Sequence, residues 1–171
     1  GRNVRQPGYE IEVRTSGAEW TERNSASQPG VFTMLSRPLV SRQDVTWRVR
    51  AIIDDVPTQW SELFTFRTSL LDKRDWKAEW ITRSSDRDRS ENDQFAGIAS
   101  PVFGKQIRIN GSVRRATWYA VALGYGEFFV GGKRVTEGLL SPGWTQFEKR
   151  VPFEALDVTK LLVRGDQWLT I

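Results

Sequence analysis

The sequence predicts an all-β protein made of two consecutive antiparallel β-sandwich modules, residues 1–71 and 72–171. Three observations lead there. First, apolar and polar residues alternate with period two in one segment after another, as in "YEIEVRT" (9–15) and "VTWRVRAII" (45–53). Strict alternation puts one face of a strand on a core and the other in water. Second, the chain holds eight Trp and nine Phe in 171 residues, and large rings suit pleated, half-buried surfaces. Third, helical periodicity is scarce. Only "DVTKLL" (157–162) reads as a short helical turn, with Asp157 or Thr159 as its N-cap and Gly165 past its end.

Each element follows from local chemistry. "YEIEVRT" is bounded by Pro-Gly and Ser-Gly. In "VTWRVRAII", Trp47, Val49 and Ala51 face one way, and Arg48 and Arg50 the other. Asp54-Asp55-Val56-Pro57 turns the chain, and "LFTFRT" (63–68) alternates again. "SLLDKRDWKAEWI" (69–81) connects the two strand sets, so a boundary is expected near Asp72. "TRSSDRDRSENDQFAG" (82–97) reads as a polar surface loop. Strands are then expected in "SPVFGKQIRI" (100–109), "RRATWYAVALG" (114–124), "EFFVGG" (127–132), "KRVTEG" (133–138), "KRVPFEAL" (149–156) and "QWLTI" (167–171). The segments "RRATWYAVALG", "EFFV" and "KRV" are expected to pair as consecutive antiparallel strands. Gly131-Gly132 is expected to form a two-residue hairpin, because a tight turn matched to strand twist needs positive φ at its centre. No helix follows these glycines, so they are not a phosphate loop.

Composition excludes much chemistry. Cysteine and histidine are both absent. That removes disulfides, thiolate and imidazole metal sites, the cysteine nucleophile and the serine triad. Net charge is +4, but basic and acidic residues interleave, so a solvated mixed-charge surface is expected and not a nucleic-acid track. No apolar run reaches membrane-spanning length, and residues 1–20 contain no signal-peptide core. No partner membrane, no metal and no cofactor is expected. The acids of "SSDRDRSEND" (Asp86, Asp88, Glu91, Asp93) lack calcium-loop spacing and alternate with arginines.

Three stretches in order carry a family resemblance: "DWKAEWI" (75–81), "RRATWYAVALGYGEFFVGGKRV" (114–135), and "LLSPGWTQFEKRV" (139–151) followed by "DVTKLLVRGDQ" (157–167). They resemble the N-terminal β-sandwich module of bacterial α-L-rhamnosidases, a galactose-binding-like jelly roll. Upstream, "TWRVRAIIDDVPTQWSELFTFRT" (46–68) looks like the closing strands of a fibronectin type III-like domain, which often precedes that module. The sequence departs from the family pattern at three places. Gly131-Gly132 replaces Asn-Gly, Leu156 replaces an aromatic residue before "DVT", and Gln167 replaces an Asn.

The resemblance implies that both modules are truncated, that residues 1–71 hold only the later strands of their sandwich, and that Trp20, Phe32, Trp47 and Trp60 lie near an open apolar face. It also implies a downstream catalytic domain of the same polypeptide, an (α/α)-barrel holding the acid and base for inverting hydrolysis of terminal α-L-rhamnose. This chain would then be a non-catalytic scaffold and a candidate carbohydrate-binding region. Two other readings fit the residues: an accessory jelly roll of another glycosidase such as a β-galactosidase, and a surface adhesion module without an enzyme.

No catalytic residue is expected in the chain, since most of its acids sit in turns or on polar strand faces and no pair has a reason to be buried. The candidate carbohydrate-binding residues are Trp144, Tyr125 and Arg150. A pyranose has an apolar face and a hydroxyl rim, so it needs an exposed ring beside polar groups. Trp144 sits in a Pro-Gly loop and Tyr125 in the turn between Gly124 and Gly126. The competing reading makes Trp144 a plug in the end of the sandwich, with Thr145 tying the loop down.

Overall fold

A computed structural model describes residues 5–25, 34–84, 99–136, 138 and 140–171. The chain divides into two compact units, Gly1–Trp80 and Ile81–Ile171. Phe32 and the acids of the 84–93 loop from Asp86 onward fall outside the described residues.

The first unit holds one antiparallel sheet of five strands: β1 (Gly8–Thr15), β2 (Glu19–Ser25), β3 (Asp44–Ile53), β4 (Val56–Pro57) and β5 (Phe64–Arg67). The order is β2-β1-β3-β4, and β5 also pairs with β3. Asp54 and Asp55 form the tight β3–β4 turn with φ of 49° and 64°, a region that Asp tolerates better than most residues. Beyond β4 two hydroxyls continue the ladder. Thr58 N–H donates to the Ala51 carbonyl at 2.9 Å while its Oγ1 accepts from Ala51 N–H at 3.1 Å. Ser61 does the same with Val49, at 2.8 and 3.0 Å. The irregular strand therefore leaves these backbone groups of β3 paired.

Register assigns the two faces. Ile11 is opposite Val49, Val13 opposite Trp47 and Trp20, and Trp47 opposite Phe64. These residues share an apolar face, where Trp47 and Phe64 stack with centroids 5.4 Å apart, and Val13 and Val45 are buried. The opposite face is charged. Glu10 stands opposite Arg50 and Glu12 opposite Arg48, with ion-pair distances of 2.6 and 2.7 Å. Directly opposed charges of unlike sign stabilise an antiparallel pair. Trp60 covers this ladder: the Arg48 and Arg50 guanidinium carbons lie 4.8 and 4.4 Å from its ring centroid. Trp20 and Trp47 are thus on the apolar face as expected, whereas Trp60 is on the charged one. The reason is that its loop follows the polar edge of β3, where two arginines offer cation–π partners.

Strand β2 has no counterpart among the strands expected from sequence. "EWTERNS" carries a single large apolar residue, so period-two reading finds no core face. Tertiary context supplies one. Glu22, on the same face as Trp20, accepts from Trp20 Nε1 at 2.7 Å and from Ser36 N–H and Oγ at 2.7 and 2.6 Å. Those bonds, led by the Ser36 hydroxyl, hold its carboxyl below the usual carboxylate range.

The second unit has two sheets. One is β6 (Gly104–Ile109), β11 (Gly165–Thr170), β8 (Phe129–Val130) and β9 (Lys133–Arg134), in that order; the other pairs β10 (Glu154–Asp157) with β7 (Thr117–Ala120). Every pair is antiparallel. The core is Phe128, Val130, Ala120 and Val158. Trp118 of β7 meets Phe128 edge to face at 5.5 Å. A side chain at Gly126 would be crowded, since a Cβ there would come within 3.1 Å of Ala122 and 3.3 Å of Phe128.

Two expectations are corrected here and two are met. β7 does not pair with β8. Between them the chain leaves one sheet for the other, and β8 pairs instead with β11 and β9. Alternation identifies strands but not partners, because partner choice depends on where the core lies. The strand expected over 114–124 spans only Thr117–Ala120 for the same reason. The hairpin holds: Gly131 and Gly132 have φ of 56° and 78° and join β8 to β9. At 157–162, Thr159 N–H donates to Asp157 Oδ1 at 2.9 Å, and Leu161 and Leu162 N–H reach the Val158 carbonyl, so Asp157 caps a single turn.

Candidate functional site

Two loops of the second unit bring sequence-distant aromatic residues together. The 122–128 segment crosses between sheets and carries Tyr125. The 140–150 loop precedes β10 and carries Trp144. Gly126 N–H donates to the Ser141 carbonyl at 2.8 Å, joining the loops at their base. The Ser141 hydroxyl bonds the Glu154 carboxylate, and Glu154 shares the inward face of β10 with Leu156. Farther along, Thr145 Oγ1 donates to the Arg150 carbonyl at 2.6 Å. Lys149 and Arg150 N–H both reach the Gln146 carbonyl at 2.9 Å. The loop is therefore closed on itself by its own polar groups.

Tyr125 and Trp144 have ring centroids 6.2 Å apart, inclined at 52°. Phe147 packs edge to face on the other side of Trp144, at 5.1 Å. Trp144 is 69% exposed and Tyr125 52% exposed, so Trp144 is outside the core and does not plug it. Thr145 does tie the loop down, as the competing reading required. Arg150 shares the loop through its backbone bonds, and its side chain is exposed. Phe147 was not singled out in the sequence. Its signal was the spacing of three from Trp144 within a turn, which brings the two rings to one side.

Arranged this way, the rings form an aromatic surface with polar groups at its margin. Such a surface can stack on the apolar face of a sugar. Several acids are occupied elsewhere. Glu10 and Glu12 belong to the cross-strand ladder, Asp157 and Asp72 cap turns, and Glu127 pairs with Arg134 at 2.8 Å. The Thr159 side chain lowers the Asp157 pKa, and the Arg48 hydrogen bond lowers that of Glu12. Among the described residues no cluster of three acids could hold a metal ion, and no helix is long and apolar enough to cross a membrane.

Residues 111–171 match the α-L-rhamnosidase N-terminal domain family, and residues 1–72 match the Rha78A-like N-terminal immunoglobulin domain. An α-L-rhamnosidase of Alteromonas sp. (strain LOR) is 30% identical, with 98% of this chain aligned to 19% of the relative. The structure of α-L-rhamnosidase from Dictyoglumus thermophilum superposes with a TM-score of 0.77 at 25% identity, covering 98% of this chain and 21% of that one. The crystal structure of native α-L-rhamnosidase from Aspergillus terreus gives 0.69 at 28% identity, covering 98% and 19%. An immunoglobulin-like sheet followed by a two-sheet unit of this type defines the class, a tandem all-β N-terminal region. The chain belongs to the N-terminal region of the α-L-rhamnosidase family, and it spans about one fifth of the length of these relatives.

Proposed function

We propose that this chain is the non-catalytic scaffold and carbohydrate-binding region of an inverting α-L-rhamnosidase-like glycoside hydrolase. The supporting observation is the half-exposed Tyr125–Trp144 pair, held on two loops that are bonded to each other. Tyr125 and Trp144 stack on the sugar, and the Arg150 guanidinium meets its hydroxyls. The acid and base of hydrolysis lie in a downstream catalytic domain: inversion needs two facing carboxyls with room for a water, and the acids named above cap turns, pair with arginines or, for Glu154, bond the Ser141 hydroxyl. We place the boundary between the two modules near residues 71 and 72, where the family match ends, eight residues before the division between the compact units at Trp80.

Two measurements on the chain test this. Incubation with an aryl α-L-rhamnoside at high protein concentration should give no turnover. Hydrolysis that disappears on mutating an Asp or Glu of this chain would refute the non-catalytic assignment. Titration with methyl α-L-rhamnopyranoside should quench tryptophan fluorescence, and Trp144→Ala should reduce that quenching. An unchanged response in the variant would remove Trp144 from the sugar site.

A further inference from the structure

Another exposed ring stands on a strand of the four-stranded sheet and not on the loops of the Tyr125–Trp144 surface. Trp168 of β11 is 53% exposed. It lies on the face of its sheet opposite to buried Val130, since Leu169 pairs with Val130 and neighbouring residues alternate. A Cβ on Gly104 would sit 3.4 Å from Trp168 Cε3 and Cζ3, so the benzene half of the indole rests over that glycine. On the β8 side the Trp168 carbonyl accepts from Gly131 N–H at 2.8 Å. The neighbour there is again a glycine, with open space where its Cβ would be. Two glycines thus flank one tryptophan and leave its outer side bare.

The rest of the surround is mostly polar, apart from Phe129 of β8, which stands opposite Thr170 on the same face. Gln106 is directly opposite Trp168 on β6, and Arg108 is opposite Asp166, 3.5 Å away. Thr170 and Asp166 project from the same face as Trp168, two residues to either side. The centre of a protein interface is depleted of charge, so this arrangement suits a protein partner poorly. It suits a ligand with one apolar face and a ring of hydroxyls.

We propose that Trp168, Gln106 and Thr170 form a second carbohydrate-binding platform, which takes a neutral pyranoside stacked on the indole. The Gln106 amide and the Thr170 hydroxyl meet the hydroxyls at the sugar's edge. Gly131, where the family pattern has Asn, keeps the approach open. The platform stands independently of the Trp144 site.

Indole N–H resonances of the 171-residue chain report each tryptophan separately during titration with methyl α-L-rhamnopyranoside, methyl β-D-galactopyranoside and methyl β-D-glucopyranoside. At least one sugar should shift the Trp168 resonance saturably, and Trp144→Ala should leave that shift intact. Gln106→Ala should weaken binding severalfold. Gly131→Asn keeps the left-handed turn, which Asn tolerates, but puts a side chain into the bay, and should weaken binding about tenfold, a loss of about 1.4 kcal/mol. These two variants avoid altering the packed ring itself. Three results would overturn the proposal: a Trp168 resonance silent to all three sugars, a shift abolished by Trp144→Ala, or a resonance that ignores sugar and broadens with protein concentration. The last would assign the face to a protein partner.

Discussion

Glu12→Gln tests the charged face of the first sheet. Glu12 is held between two arginines, with Arg14 at 2.6 Å and Arg48 at 2.7 Å, and its side chain is only 10% exposed. Stranding one partner of a fully buried ion pair costs about 3–5 kcal/mol. Arg48 retains 26% side-chain exposure and its contact with Trp60, so the loss should be smaller. About 1–3 kcal/mol is expected, the range for a buried polar group deprived of its partner. The effect should depend on pH. The Arg48 hydrogen bond and the Arg14 charge outweigh desolvation and lower the Glu12 pKa below its usual 4.5. A carboxylate with a depressed folded pKa stabilises fully above its unfolded pKa, and that stability is lost as pH falls through the folded value. The gap between wild type and Glu12→Gln should therefore be full at neutral pH and shrink below about 4.5. Urea melts followed by tryptophan fluorescence at neutral and acidic pH measure it. Other acids titrate in the same range, so the wild-type-minus-variant difference is the quantity to read. Replacing both residues, Glu12→Gln with Arg48→Met, should recover part of the loss, because Arg48 is no longer stranded and Arg14, 39% exposed, keeps Glu19 at 3.3 Å. No gap at neutral pH, or a gap that acid leaves unchanged, would refute the reasoning.

Phe128→Ala should destabilise the second unit by about 3–5 kcal/mol, since Phe128 is 0% exposed and packs on Trp118; a urea midpoint that does not move would show that this ring is not the keystone of the core. Gly131→Val or Gly132→Val should each cost about 1 kcal/mol or more, because both glycines have positive φ and a β-branched residue is an outlier there; equal melting temperatures in both variants would reject the hairpin conformation.

Several features were determined by sequence alone because local sterics and alternation decide them. The β1 and β3 strands, the Asp54-Asp55 turn, the Gly131-Gly132 hairpin and the Asp157 cap each follow from residues a few positions apart. Their energies are settled before any distant contact forms. The family was legible too, in "SPGWTQFEKR" and its neighbours. Tertiary structure decided the rest. β2 forms because β1 and the Ser36 segment satisfy its polar groups, which no period in "EWTERNS" could announce. Trp60 turned to the charged face because Arg48 and Arg50 wait there, one strand away. β7 and β8 part company because the core, not the connecting turn, selects strand partners. The exposure of Trp144 and Trp168 depends on which neighbours are glycines and which loops close beside them. Exposure is a sum over contacts distant in sequence, whereas a turn is settled by the few residues that make it.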